Sequence, residues 1–461
     1  MADAAALAAL ASPSSILRVA LPAILTSVAP PACVAVQLAL LARVGSTSAA
    51  TFAGCVSAAN LISASCNFLV NGVASQVGAA CGARRWGLAA ARIRVAVVAA
   101  LLVGTVGGGA LLAAGAPLRA WLRLDAAAAP AYWRLRAALV PVSLLTSAAT
   151  GSLNGYGHVT AAAWLASGSA AVETAASVAL LSRASRLGVD PLVALGLASI
   201  AVAVATAGAG LATVAVEARR RAGADGNDAL LGDATDAPPD PPMRTLILQF
   251  VSGGSAILVR SLTLQLTFFA AVSVAARRGT SALVAHAAAA QLWMATSYTV
   301  DGLESAAIVL GSRVAAAADR GAAKAAFAAL SHRLLAAGVA IGVVASALLT
   351  LFPVALARLF VGGDADALNL LTHRTLTVLA AAQPLCAVTF ITDGIVYALP
   401  SPKRFVWARN VMVASFACLF VPTLTLAATR TTGVWAIWVA KLAHNAGRAS
   451  GNWGVVRAAW R

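Results

Sequence analysis

The stretch "TVDGLESAAIVLGSRVA" (299–315) places two carboxylates, Asp301 and Glu304, inside a long apolar run. On a helix, residues three apart share one face, so both acids point in the same direction. A charged side chain inside a membrane span is costly and normally faces protein or water rather than lipid. The stretch therefore predicts a membrane-spanning helix with one ionisable face.

The composition of the whole chain extends this prediction. Of the 461 residues, 60% are hydrophobic and 11% are charged, whereas about 25% are charged in a typical soluble domain. Apolar runs of about 20 residues or more recur along the chain, and the alternating pattern of membrane β-barrels is absent. We therefore predict an all-α polytopic membrane protein that is embedded in the lipid bilayer.

Clusters of Gly, Pro and charge divide the chain into twelve apolar segments. These segments cover residues 16–42, 49–77, 93–117, 131–153, 159–182, 191–217, 245–276, 281–311, 327–357, 373–399, 404–428 and 433–456. A polar stretch rich in Arg, Asp and Pro separates the sixth segment from the seventh, which is typical of a linker. The predicted organisation is an N-terminal arm (1–15), an N-lobe (16–217), a cytoplasmic linker (218–244) and a C-lobe (245–461).

The two halves of the chain repeat each other. "LVNGVASQVGAACGARR" (69–85) ends the second segment, as 299–315 ends the eighth. Similarly, "TGSLNGYG" (150–157) ends the fourth segment and "TDGIVYALP" (392–400) ends the tenth. Because six spans per half is an even number, the halves have the same orientation and form a parallel repeat. We predict twelve transmembrane helices in two six-helix lobes, with a cavity between the lobes that opens alternately to each side, as in secondary transporters.

The net charge of +17 is explained by Lys and Arg in the short loops. These residues are more frequent on the side that holds both ends of the chain, which predicts cytoplasmic N- and C-termini. No soluble basic face is visible, so we expect no nucleic-acid partner. The six cysteines form no CxxC pair and are interpreted as packing residues. The first fifteen residues lack a basic n-region and make a poor signal peptide.

The sequence contains no pattern of an enzyme. A GxxxxGK[ST] phosphate loop, a Ser-His-Asp set and an HExxH motif are all missing. We therefore expect no catalytic activity, no cofactor and no metal site.

Five motifs resemble the multidrug and toxic compound extrusion (MATE) family, in particular the branch related to the bacterial DNA-damage-inducible protein, with its plant and algal members. They are "LRVALPAIL" (17–25), "NFLVNGVASQVGAACGARRW" (67–86), "RSLTLQLTFFAAVSVAARRG" (260–279), "AHAAAAQLWMATSYTVDGLESAA" (285–307) and "QPLCAVTFITDGIVYAL" (383–399). The resemblance implies twelve helices in two lobes. It also implies export of organic cations, drugs, flavonoids or organic acids, driven by inward flow of H⁺ or Na⁺.

The sequence departs from the family pattern in the first half. Family members usually carry an Asp in the first span, where this chain has Gln37. An Asn and an Asp are common in the fifth span, and they align with Glu173 and Ser177. Asn71 is the neutral counterpart of Asp301 in the repeat. The resemblance therefore implies that the N-lobe coupling carboxylate is absent from its usual place.

Four acids are candidates for the transport and coupling site. Glu304 and Asp301 share a face, so one of them would hold a proton more readily; the alternative is a structural polar contact. Glu173 is either an N-lobe site or one half of a structural pair. Asp393 has either a site role or a packing or capping role. Glu304 is the strongest candidate because it lies deeper in its segment.

Four further residues are predicted to line the cavity or to form ion pairs. Arg260 is expected to pair with one of the acids or to bind an anion. Gln265 faces the same cavity or forms an interhelical hydrogen bond. Gln37 and Asn71 complete this group. Lys441 in the twelfth segment either snorkels towards the cytosol or faces the cavity.

The function predicted from these observations is MATE-type antiport of a small organic ion against H⁺ or Na⁺, by a protein that we expect to be a monomer. A major facilitator-type transporter and a flippase of the same superfamily are alternatives, although "GAACGARRWG" (78–87) lacks the Asp of the facilitator loop. An uncoupled channel or a non-transporting scaffold is an alternative from another class.

Overall fold

The computed structural model describes residues 7, 9–66, 68–82, 85–124, 129–183, 188–229, 242–315, 320–399, 403–429 and 433–460. Nearly all of these residues are helical, and none of them lies in a β-strand.

Seventeen α-helices are present in this part of the chain. They are α1 (Pro13–Val44), α2 (Ser46–Ser63), α3 (Phe68–Gly82), α4 (Trp86–Ala113), α5 (Gly115–Trp121), α6 (Ala129–Gly155), α7 (Val159–Leu181), α8 (Pro191–Ala229), α9 (Met243–Arg277), α10 (Thr280–Ala315), α11 (Arg320–Leu351), α12 (Pro353–Val361), α13 (Ala365–Leu370), α14 (Leu376–Ala398), α15 (Arg404–Ser415), α16 (Val421–Thr429) and α17 (Trp435–Trp460). The pairs α2–α3, α13–α14 and α15–α16 each form one long segment, whereas α5 and α12 are short. The described residues therefore contain twelve long helical segments, one for each segment predicted from the sequence.

Nine of these twelve segments are long and apolar enough to cross a membrane. The other three described segments are α6, α10 and α17, each of which carries charged residues in its interior. Large apolar side chains such as Leu17, Val106 and Leu351 are more than half exposed, as expected where acyl chains cover the surface. These are the features of a multi-pass membrane protein.

Several helices begin at a residue that satisfies their first backbone N–H groups. Ser12 precedes Pro13, which is favoured in the first helical turn, and its side chain accepts a hydrogen bond from the backbone of Ser15. Asp190 caps α8 by accepting from the backbone N–H of Leu192 at 2.8 Å. The local sequence thus defines where these helices start.

Helix α8 extends beyond the predicted end of the sixth segment at residue 217 and continues to Ala229. Glu217 and Arg221 lie one turn apart, with 2.7 Å between Arg221 Nε and Glu217 Oε1. An ion pair at this spacing stabilises a helix beyond the membrane, where polarity alone suggests a linker. The first part of the predicted linker is therefore helical.

The chain divides into two compact units. One contains residues 1–54, 119–125 and 266–461, and the other contains residues 55–118 and 126–265. In the first unit, α1 packs closely on α10. The lobe limits at 217 and 245 stay a prediction from the sequence.

Each unit contains a close contact of a glycine with a proline on a neighbouring helix, and this shared contact supports the internal repeat. In one unit, a Cβ added at Gly104 of α4 would lie 2.5 Å from the Cα of Pro141 in α6. In the other, a Cβ added at Gly342 of α11 would lie 2.8 Å from the Cα of Pro384 in α14. Only glycine permits such an approach of two backbones. The third and fourth long segments of the chain therefore pack in the same way as the ninth and tenth.

Candidate functional site

Helix α10 presents Asp301 and Glu304, which are both half-buried. At Gly302, an added Cβ would lie 2.8 Å from the backbone oxygen of Ala20 in α1. At Gly394 in α14, an added Cβ would lie 2.8 Å from the backbone oxygen of Glu304 and 2.9 Å from its Cγ. The two acids therefore lie on a helix that is held between α1 and α14, and the side chain of Glu304 runs along α14.

The residue beside this glycine, Asp393, forms a buried ion pair. Its side chain is 3% exposed, and that of Arg448 in α17 is 1% exposed. A terminal nitrogen of Arg448 donates to Asp393 Oδ2, and Asn452 Nδ2 donates to Oδ1. Both carboxylate oxygens thus have a partner. The ion-pair partner that the structure gives Asp393 is Arg448, a residue that the sequence analysis did not single out.

Arg448 belongs to a polar face of α17. Lys441, Asn445, Arg448 and Asn452 follow one another at helical spacing, so they line one side of the helix, and each is at most 6% exposed. Arg448 also donates to Asn445 Oδ1 at 3.3 Å, and Asn445 Nδ2 donates to the sulfur of Cys386 at 3.2 Å. Of these four residues, the sequence analysis singled out Lys441, although the spacing in "KLAHNAGRASGN" (441–452) reveals the whole face.

Lys441 is buried beneath aromatic rings and does not snorkel. Its Nζ lies 4.1 Å from the ring centroid of Phe268 and 5.0 Å from that of Trp293. Within the described part of the chain, this nitrogen has no hydrogen-bond partner. Trp293 is fixed by a hydrogen bond from its Nε1 to the sulfur of Cys386, at 3.1 Å. This burial does not fit snorkelling, and a cavity role for Lys441 stays a prediction.

Glu173 lies in α7 in the other unit and is half-buried. Its Oε1 accepts a hydrogen bond of 2.6 Å from Ser199 Oγ of α8. In the same unit, the ring of buried Tyr132 in α6 lies 6.0 Å from the guanidinium carbon of Arg136. Arg136 is only 9% exposed, and the sequence analysis did not single it out. Glu173 therefore forms a polar contact between α7 and α8.

The remaining candidates are placed as follows. Gln37 is buried in α1 at 1% exposure. Arg260 and Gln265 are half-buried in α9. The side chain of Asn71 lies outside the described residues. Among the residues that the structure describes, no group of three or more His, Cys, Asp and Glu could hold a metal ion.

An apolar groove of about 520 Å³ lies between α4 and the start of α9. Its walls include Val98, Leu102 and Ile247, which are each about half exposed, and Arg94 also lines it. Exposed apolar walls on a membrane-spanning helix are in contact with acyl chains. We interpret the groove as a lipid contact rather than as a site for a polar substrate.

Comparison with known proteins supports the predicted resemblance. No family profile matches the chain. The chain is 29% identical over 188 residues to protein DETOXIFICATION 45, chloroplastic, of Arabidopsis thaliana. The aligned region covers 40% of this chain and 32% of that protein. The chain is 30% identical over 213 residues to protein DETOXIFICATION 44, chloroplastic, of the same plant, which covers 46% and 38%. The similarity thus spans about a third of the length of these curated relatives.

The similarity to solved structures extends over almost the whole chain. An inward-facing multidrug resistance MATE transporter of the MOP superfamily matches with a TM-score of 0.73 and 16% identity, over 94% of this chain and 97% of that one. At this level of identity, the structural match shows the fold. The plant relatives agree with the branch that the motifs suggested. The chain is a multi-pass membrane protein with the fold of the MATE transporters, and its predicted resemblance to that family is confirmed.

Proposed function

We propose that the chain is a MATE-type secondary active antiporter, which exports a small organic ion in exchange for H⁺ or Na⁺ by alternating access. The observation that carries this proposal is the pair of half-buried acids, Asp301 and Glu304, on a helix held between α1 and α14. A carboxylate that is half-exposed can reach water, and a like-charged neighbour makes it hold a proton more readily. The similarity of the fold favours this function over a major facilitator-type transporter.

The coupling group is Glu304, with Asp301 as its electrostatic neighbour. Asp393 is less suited to this role because Arg448 and Asn452 occupy both of its oxygens. Glu173 remains a candidate in the other unit, where the hydroxyl of Ser199 donates a hydrogen bond to one of its carboxylate oxygens. Gln37 cannot carry a proton, so we assign no coupling role to the first helix.

The test is flux through the full chain reconstituted in proteoliposomes. Organic cations and carboxylates are screened for substrate-dependent release of an imposed pH or sodium gradient. Once a substrate is found, Glu304→Gln should abolish gradient-driven transport while substrate exchange without a gradient continues, because only the coupling group is lost. The matched control is Asp366→Asn, which neutralises an exposed acid in the short helix α13.

Three outcomes would contradict the proposal. Unchanged gradient-driven transport by Glu304→Gln would remove Glu304 from the coupling site. Conductance without coupling, or no flux of any substrate, would favour the alternatives of a channel or a scaffold.

We also propose that both termini face the cytosol and that the transporting unit is a single chain. The distribution of Lys and Arg supports the orientation, and labelling of cysteines introduced at each end of the chain in sealed cells tests it. The mass of the purified protein in detergent tests the monomer.

A further inference from the structure

The apolar groove between α4 and α9 has a charged residue in its wall. Its lining residues all belong to the unit that contains residues 55–118 and 126–265, and among them Arg94 is the charged one. On α4, Arg94, Val98 and Leu102 follow one another at intervals of four residues, so they lie along one stripe of the helix. Val98 and Leu102 are more than half exposed, as on a surface that acyl chains cover. The stripe therefore carries a guanidinium on the same face as two side chains that contact lipid.

The guanidinium of Arg94 lies well inside its helix. Arg94 follows Trp86, the first residue of α4, by eight residues, which places it about 12 Å further along the helix axis. A charged side chain at such a position is costly unless it reaches the interface or a group of opposite charge. The carboxylates in the ion pairs of the described residues are Glu217 and Asp393, and neither pairs with Arg94. The phosphate of a lipid is an anion that this location supplies.

The charged end of the groove lies towards one face of the membrane. On α4 the wall residue nearest the helix start is Arg94, and on α9 it is Met243. The guanidinium carbon of Arg221, near the end of α8, lies 4.7 Å from the ring centroid of Trp86 at the start of α4. Because α9 is the next span after α8, α4 and α9 both start on the side where α8 ends. From that side the groove runs inwards to Leu102, so its charged part is near the surface and its apolar part is deeper.

The same face of the membrane is basic. Arg219 and Arg220 of α8 are exposed, and so is Arg244 at the start of α9. Glu217 neutralises only part of this charge, through Arg221 at 2.7 Å. Basic residues that flank membrane spans on one side attract lipids with anionic head groups. The charge of this face therefore favours an anionic lipid over a zwitterionic one.

We propose that the groove is a binding site for one anionic phospholipid. The phosphate of the lipid pairs with Arg94, and an acyl chain lies along Val98 and Leu102, between α4 and α9. The groove of about 520 Å³ provides the space for this chain. The inference goes beyond the proposed antiport and does not depend on it, because it concerns a lipid that stays bound and not the transported ion.

The test is native mass spectrometry of the purified full-length protein in detergent, with an equimolar mixture of dioleoylphosphatidylglycerol and dioleoylphosphatidylcholine. The two lipids have the same chains and differ in the charge of the head group. Arg94→Gln removes the charge of the groove, and Arg94→Lys keeps it. Arg219→Gln is the matched control, since it removes an exposed charge of α8 outside the groove.

A second pair of variants tests the apolar part of the groove. Val98→Trp places a large ring in the groove and leaves Arg94 in place. Val344→Trp, at a similarly exposed position of α11, is its control. Both positions face lipid, so a larger side chain is accommodated without a change of the protein core.

We expect the wild type to bind one phosphatidylglycerol in preference to phosphatidylcholine. Arg94→Gln should lower this preference about fivefold or more, which is the factor for one arginine near a membrane surface, and Arg94→Lys should keep most of it. Val98→Trp should weaken binding of phosphatidylglycerol, whereas Arg219→Gln and Val344→Trp should bind as the wild type does. Phosphatidylglycerol should also raise the unfolding temperature of the wild type more than that of Arg94→Gln.

The proposal is overturned if Arg94→Gln keeps the preference of the wild type, or if the wild type binds the two lipids equally. It is also overturned if Arg219→Gln lowers the preference as much as Arg94→Gln does, because the attraction would then come from the charge of the whole face. Loss of antiport would not affect these results, since binding is measured without a substrate or an ion gradient.

Discussion

Loss of either member of the buried ion pair between Asp393 and Arg448 should destabilise the protein strongly. Loss of both members together should cost less than the two single losses added together. Arg448→Met leaves the buried carboxylate of Asp393 with its hydrogen bond from the Asn452 amide but without the positive charge of Arg448. Asp393→Asn leaves the buried guanidinium with Asn445 Oδ1 at 3.3 Å and the ring of Phe390 at 5.4 Å. Each single change therefore leaves one buried charge without its opposite charge.

The magnitude follows from burial. Both side chains are at least nineteen-twentieths buried, and the loss of one partner of such a pair costs about 3–5 kcal/mol. Removal of both charges together restores a nearly neutral interior, so the double variant should be less destabilised than the two single changes added together. We expect a coupling energy of about 2–3 kcal/mol.

The assay is a double-mutant cycle on reversible unfolding of the purified protein by SDS, followed by far-UV circular dichroism at one detergent composition. The control cycle is Glu217→Gln with Arg220→Met, whose charged atoms lie 3.8 Å apart with Arg220 77% exposed. Because the Arg220 side chain is so open to solvent, this pair should couple by less than about 1 kcal/mol. Additivity of Asp393→Asn and Arg448→Met to within about 0.5 kcal/mol would refute the reasoning.

Two further predictions concern helix contacts. Gly394→Ala should destabilise the protein by about 1–3 kcal/mol, because the added Cβ would lie 2.8 Å from a backbone oxygen of Glu304 that cannot move alone. Gly454→Ala in α17 is the control, since an added Cβ there has nothing within 4 Å, and it should be neutral or slightly stabilising in the same SDS titration. Equal effects of the two changes would contradict the close contact. Ser199→Ala should destabilise the protein by about 1–3 kcal/mol, since it removes the 2.6 Å hydrogen bond to Glu173. In a protein that already carries Glu173→Gln, the same change should cost less. A double-mutant cycle without coupling would contradict the pairing.

The fold was predictable because it depends on short-range patterns. Twelve apolar segments become twelve long helices, and limits such as 159–182 for the fifth segment agree closely with Val159–Leu181 in the structure. The glycines that the two halves share mark places where backbones meet, as Gly394 meets Glu304. The end of α8 was not predicted, because Arg-rich polarity indicates exposure to water but does not exclude a helix.

The partners of the charged residues were less predictable, because they are distant in the sequence. Asp393 and Arg448 lie 55 residues apart, and the chain offers 33 Lys and Arg residues as candidates. What the sequence does contain is the polar face of α17, since Lys441, Asn445 and Arg448 follow helical spacing. A search for polar residues at this spacing within each apolar segment, rather than for single charges, would have found it.

The different roles that we propose for Glu304 and Asp393 follow from what each carboxylate can do during the transport cycle. A coupling group must change its charge, so its neighbours must tolerate both states and water must reach it. Protonation of Asp393 would leave the Arg448 guanidinium buried without its counter-charge, which opposes such a change. Glu304 is half-buried. It lies beside Gly394, which has no side chain to bind the Glu304 carboxylate. In the proposed antiport, the ion pair of Asp393 keeps a fixed charge that holds α14 on α17, while the charge that changes is carried by Glu304 on the adjacent helix α10.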